Sequence, residues 1–250
     1  MRAYLTLTRR ELGGFFYSWI AYVVIGSAVF LMGISFVSIL NVCQNVPTLW
    51  PVTEMFIRAE YLWLILLFCA PVITMRLFAL EKFSGTFETL MTAPVSDLAV
   101  VLSKFSAALI LYLLMWLPLF AFFLLLRYFT HDTSFLDVRT LASTFLGLAL
   151  LGALFMSFGC FASSLTNNQI VAAMITFAIG LSLFILSYGA DQLVDQRTWA
   201  TDTLNYICLK AHMRDFGEGT VDTRCLVFYP SAAAFFLFLT HRVVHSRRWR

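Results

Sequence analysis

Six apolar runs dominate this 250-residue chain, at about residues 18–40, 61–79, 104–127, 141–164, 169–190 and 225–240. A helix rises about 1.5 Å per residue, so roughly 20 residues cross about 30 Å of hydrocarbon, and most of these runs are long enough. No water reaches that depth to satisfy backbone groups. A helix satisfies them internally, which makes each run a transmembrane helix. Composition agrees: 60% of the residues are hydrophobic and 12% charged, where a soluble domain carries roughly 25% charged residues. The mean hydropathy is +0.83. The expected fold is an all-α polytopic membrane protein in which residues 1–250 form a single domain without internal repeats. The last run is the weak one. Only 16 residues separate Arg224 from His241, with Pro230 among them, so this span needs local bilayer thinning or snorkelling by Arg224 and Arg242.

Residues 1–17 mix Arg2, Arg9, Arg10 and Glu11 with Leu5, Leu12, Phe15 and Phe16, the pattern of a basic amphipathic helix lying along the interface. The run that follows is too long for a signal-peptide core and lacks a small-x-small cleavage site, so it reads as a retained span. Six spans put both termini on one side of the membrane. With the termini inside, the inner side carries ten of the 17 basic residues: Arg2, Arg9, Arg10, Arg76, Lys82, Lys104, Arg242, Arg247, Arg248 and Arg250. Glu11, Glu81, Glu88 and Asp97 are the only acids there. The positive-inside rule therefore predicts cytoplasmic termini for a multi-pass protein, for which the expected location is the cell (inner) membrane. Residues 80–103 and the turn at Asn167, Asn168 and Gln169 then face the cytoplasm. The loops at 41–60, 128–140 and 191–224 face out, and Trp199, Leu204, Tyr206, Ile207 and Leu209 suggest an outer helix half sunk in the interface.

Between their edge charges the six runs contain no Asp, Glu, Lys, Arg or His. Ion-coupled carriers and proton relays keep such groups at membrane depth, so their absence argues against both. No phosphate-binding loop is present. His241 and His245 share a helix face but sit among arginines with no third ligand, as in a basic interfacial tail. No catalytic, cofactor-binding or metal-binding residues are expected. A net charge of +3 gives no footprint for nucleic acid. Cys208 and Cys225 share the last loop, where they either pair in a disulfide or stay free; spacing does not decide. In the fourth run Ala149, Ala153 and Ser157 recur every fourth residue, as do Gly159 and Ser163, and small residues so spaced let helices approach closely.

Residues 80–103 must leave the bilayer, yet they are patterned. Leu80, Phe83, Phe87 and Leu90 recur at helical spacing, while Glu81, Gly85, Glu88 and Thr92 fall on another face. Pro94 ends this helix, and Ser96 is placed to cap a new one running through Lys104. Two readings fit: an interfacial helix on the headgroups, or a docking surface on which Phe83, Phe87 and Leu90 anchor the segment while Glu81 and Glu88 reach basic groups of a partner.

The run Glu81-Lys82-x-x-Gly85-Thr86-x-Glu88-Thr89-Leu90-x-Thr92-x-Pro94-Val95-Ser96, followed by Lys104-Phe105, resembles the cytoplasmic loop of type-2 ABC exporter permeases. Ser163-Ser164-Leu165-Thr166-Asn167-Asn168-Gln169 is similar to the turn between the fourth and fifth spans of that family. His212-x-x-x-Phe216-x-x-Gly219-x-Val221-Asp222-Thr223-Arg224, with Arg247-Arg248-Trp249, resembles the gliding-motility branch and its relatives that mature nitrous oxide reductase. Met213 and residues 215–218 depart from that pattern, and Cys225 stands where an Asp is expected. The resemblance implies a non-catalytic permease that forms a homodimer or heterodimer in the lipid bilayer and docks on a separate ABC ATP-binding subunit. Residues 1–17 become an elbow helix and residues 80–103 a coupling helix, with short outer helices before the last span and an outer or periplasmic accessory protein as a further partner. The implied activity is ATP-driven export. The alternatives are a mechanotransmission scaffold without flux and an ATP-independent channel or carrier.

Overall fold

The computed structural model describes residues 2–45, 52–92, 95–130, 137–192 and 206–247. In chain order the helices are α1 (Arg2–Phe16), α2 (Trp19–Asn45), α3 (Val52–Arg58), α4 (Glu60–Thr74), α5 (Ala79–Phe83) and α6 (Thr86–Thr92). They continue with α7 (Asp97–Thr130), α8 (Val138–Leu165), α9 (Gln169–Gln192), α10 (Leu209–Gly217) and α11 (Thr223–Arg247). Among the described residues there is no strand. Six helical stretches are long and apolar enough to cross a membrane: Trp19–Val42, Glu60–Phe83, Asp97–Tyr128, Val138–Leu165, Gln169–Gly189 and Thr223–Ser246. They coincide with the six apolar runs. In the last, α11 continues past the apolar run through His241 and Arg242 to Arg247, with Pro230 inside the helix.

Helix α8 is the spine of the bundle and packs against α4, α7, α9, α10 and α11. The α4 and α8 spans are each 67% buried, against 22% for α9 and α11, which puts these two at the centre and the others toward lipid. Close approach to α8 depends on glycines. A Cβ at Gly152 would overlap the Tyr112 ring of α7, and one at Gly159 would overlap the Thr74 side chain of α4. Ser157 is fully buried beside them, with its hydroxyl donating to Leu154 O at 2.6 Å, whereas Ala149 and Ala153 are half-buried.

The start of α7 lies against the N-terminal helix, where the hydroxyls of Tyr4 and Ser106 meet at 2.6 Å, and against the end of α11, where His245 Nδ1 is 2.9 Å from Asp97 Oδ2. The start of α1 and the end of α11 therefore sit at one end of the bundle, the near end. At the far end α10 folds back onto α3, α8 and α9. Of the outer interfacial helix expected there, Trp199 and Leu204 lie outside the described residues, and Leu209 opens α10. Cys208 and Cys225 form no disulfide. Both are buried free thiols, and Cys208 Sγ turns to α9, where it donates to Ser187 O at 3.4 Å.

The segment after α4 differs from the single amphipathic helix that its spacing suggests. Helix α5 closes with Ser84 N donating to Leu80 O at 2.9 Å, and Gly85 follows with φ +74°. That left-handed conformation favours glycine and ends a helix. Helix α6 then starts on a new axis. Pro94, the expected stop, lies outside the described residues. Ser96 does cap α7, its Oγ accepting from Ala99 N at 3.3 Å.

Candidate functional site

The span that begins with α4 is interrupted between Thr74 and Ala79, and the interruption frees backbone groups at the near end of the bundle. Apolar surroundings make such groups costly unless something satisfies them. Ser163 of α8 does so. Its Oγ accepts from Phe78 N at 3.0 Å and Ala79 N at 3.1 Å, and donates to Met75 O at 3.2 Å. One turn further on, Lys82 Nζ donates to Ser164 O. The start of α5 is thus bonded to the end of α8.

A second set of bonds ties α5 to α1 and α7. Lys104 Nζ, on a side chain only 1% exposed, lies 3.0 Å from Glu11 Oε1 and 3.0 Å from Glu81 Oε2. Arg10 bridges the same carboxylates, 2.8 Å from Glu11 Oε1 and 3.0 Å from Glu81 Oε1. Two cations and two anions from three elements make a closed, neutral cluster. Burial alone would raise the Glu11 carboxyl, but the charge of Lys104 and the hydrogen bonds from Arg10 and Lys104 outweigh it and hold the group below its ordinary value. The hydrogen bond to Glu11 in turn leads in raising the Arg10 guanidinium, against a smaller effect of burial. Loss of Lys104, the buried member, would leave Glu11 and Glu81 with only the half-exposed Arg10 between them.

These bonds leave α5 and α6 with two distinct sides. Leu80 is half-buried, while Phe87 and Leu90 are buried, with Lys82 Nζ 5.5 Å from the Phe87 ring centroid. Phe83, by contrast, is 77% exposed, and Ser84, Gly85, Thr86, Glu88 and Thr89 are exposed with it. The apolar stripe therefore divides: its later members face the bundle and Phe83 faces away. Glu81 is occupied by Lys104 and Arg10, and Glu88 is the acidic group on the free side. Arg9 is exposed on α1. In the turn between α8 and α9, Asn167 is exposed and Gln169 half-buried, and Asn168 caps α9 with its Oδ1 accepting from Ile170 N at 2.9 Å.

The far end repeats the device seen at Ser163. Helix α10 ends in buried residues, Phe216 and Gly217, and hydroxyls of neighbouring helices bond their carbonyls. Ser143 Oγ donates to Phe216 O at 2.7 Å and Thr53 Oγ1 to Gly217 O at 2.8 Å. A Cβ at Gly147 would meet the Phe216 ring. His212 on this helix is buried, which lowers its imidazole pKa despite the opposing charge of Asp222.

Spacing reveals Glu81 and Lys104 as loop residues but not as partners of Glu11 and Arg10, which are 93 and 71 residues away from their contacts in the chain. It groups Ser163 with Gly159 as a small packing residue, and nothing in the run distinguishes a hydroxyl that binds backbone. The Asp97–His245 pair is likewise visible only in three dimensions. Among the described residues no group of His, Cys, Asp and Glu is arranged to hold a metal. In comparisons with known proteins, the family described as ABC-2 family transporter protein matches residues 11–202, a stretch that includes Glu11, both short helices, Lys104 and Ser163. No curated protein matches the chain.

Proposed function

The chain belongs to the ABC-2 family of transporter proteins, and from that premise we propose that it is the permease of an exporter whose ATP is hydrolysed by a separate subunit docked on α5 and α6. The observation that carries this reading is the two-sidedness of that segment. Its free side offers Phe83, Glu88 and Thr89, and its other side is bonded to α1, α7 and α8. A partner that pushes on α5 pushes on the spine of the bundle through Ser163 and on the third span through Lys104. Closing ATP-binding subunits supply the push, and close-packed helices answer by switching between discrete arrangements.

In this reading the near end is cytoplasmic and the chain sits in the inner membrane, consistent with the excess of basic residues at that end. Two copies assemble, each on its own ATP-binding subunit. Lys104 does not make the protein an ion carrier, because Glu11 and Glu81 neutralise it at the edge of the bundle. The resemblance of residues 212–224 to gliding-motility permeases favours a second reading, in which the same stroke moves an outer partner instead of cargo. Helix α10 and the Ser143 and Thr53 contacts would then deliver the motion. Docking is common to both readings.

A photoreactive benzophenone side chain placed at position 83 tests docking directly. The control is position 68 on α4, where Phe68 is also exposed, at 57%, but lies within an apolar span. Cross-linking in membranes that contain the ATP-binding subunit should give an adduct from position 83 and none from position 68. No adduct from position 83, or equal adducts from both, contradicts the proposal.

A further inference from the structure

Where the start of α7 runs beside the end of α11, the two helices leave a groove of about 260 Å3 whose lining includes Leu98, Leu102, Ala234, Leu237, Phe238 and His241. Its walls are apolar and partly open, with Leu98 55% and Phe238 52% exposed. One turn beyond Phe238 stands Arg242, the first arginine or lysine after the apolar stretch of α11. Its guanidinium lies 5.0 Å from the centroid of the Phe238 ring, so the cation sits directly over one wall. Among the described residues no carboxylate pairs with Arg242. The nearby Asp97 is 7% exposed and engaged by His245, and His245 in turn stacks on His241 at 6.0 Å.

An apolar slot beside an uncompensated cation, at the level where a membrane span ends, matches a lipid with a negative headgroup. We propose that this groove binds a phospholipid of the leaflet on the side of the two termini, with an acyl chain between α7 and α11 and an anionic headgroup on Arg242. The charge selects the headgroup, since a basic residue near an anionic membrane surface is worth about fivefold in binding. The slot selects a chain, because only apolar matter gains by covering Leu98, Leu102 and Phe238. A lipid held here bridges the third and sixth spans. The assay needs no ATP-binding subunit, so its outcome is independent of the docking reading.

The test is native mass spectrometry and thermal unfolding of the full-length protein in neutral detergent, with dioleoyl-phosphatidylglycerol or dioleoyl-phosphatidylcholine added. Wild type should retain phosphatidylglycerol in preference and be stabilised by it. Arg242→Gln should lose that preference by about fivefold while Arg242→Lys keeps most of it, which separates charge from folding. Ala234→Trp, which fills the groove and leaves Arg242 in place, should reduce retention of both lipids. Undiminished preference in Arg242→Gln overturns the proposal. So does protection by glycerol phosphate equal to that by the lipid, which means an anion site without a chain. A change in oligomeric mass on Ala234→Trp also overturns it, since a second copy then covers the groove.

Discussion

Ser163 takes three backbone bonds in one hydroxyl, and its removal leaves the amides of Phe78 and Ala79 without their acceptor in a buried setting. A stranded buried donor costs about 1–3 kcal/mol. Ser163→Ala is therefore expected to lower the unfolding midpoint in detergent and Ser163→Thr to recover part of it, a contrast that a mere packing residue would not give. Glu11 makes a prediction in pH. Its carboxyl is held below the ordinary 4.5, so its contribution to stability is complete above about pH 4.5 and is lost as pH falls through the lower folded-state value. Thermal unfolding followed from pH 7 to pH 3.5 should show wild type losing more stability than Glu11→Gln in the acid part of the range. Parallel curves would mean that Glu11 is not coupled to Lys104 and Arg10.

At the scale of elements, Gly85 decides how α5 and α6 are oriented. A Cβ there meets nothing within 4 Å, yet the backbone has φ +74°, so a substitution acts through conformation alone. An L-residue in that region costs about 1–2 kcal/mol, less for Asn. Gly85→Asn should be milder than Gly85→Ala, and Gly85→Val worst, when ATPase stimulation by the permease is measured at matched expression. An order set by side-chain size without the Asn advantage would contradict the left-handed turn. The same glycine explains what the sequence conceals here. Leu80, Phe83, Phe87 and Leu90 fit one helix by spacing, and only the backbone turn at Gly85 sends Phe83 outward while Phe87 and Leu90 turn in. The spans were readable because length and apolarity specify them almost alone, and Ser96 because a hydroxyl before a helix has one common use. The ionic cluster was not, since its partners come from α1, α5 and α7, and charge alone does not say which residues meet.

For the whole molecule, α8 gathers the bundle, and its glycines mark where the spans come closest. Gly159→Leu should prevent α4 from packing, since even a Cβ there overlaps Thr74 and overpacking a tight core costs about 1–3 kcal/mol or more. Size-exclusion profiles and yield should fall sharply, whereas Gly26→Ala, with nothing within 4 Å, should behave as wild type. In the proposed function docking and transmission are separate properties of one segment, docking on the exposed side and transmission through the buried bonds. Hydrolysis by the ATP-binding subunit, titrated with permease held in nanodiscs, measures both at once: the midpoint reports docking and the plateau reports transmission. Phe83→Asp with Glu88→Lys should move the midpoint to higher permease concentration and leave the plateau, and Ser163→Ala should lower the plateau with the midpoint unchanged. A Ser163→Ala curve that matches wild type, or one that shifts its midpoint as the docking pair does, would contradict the account.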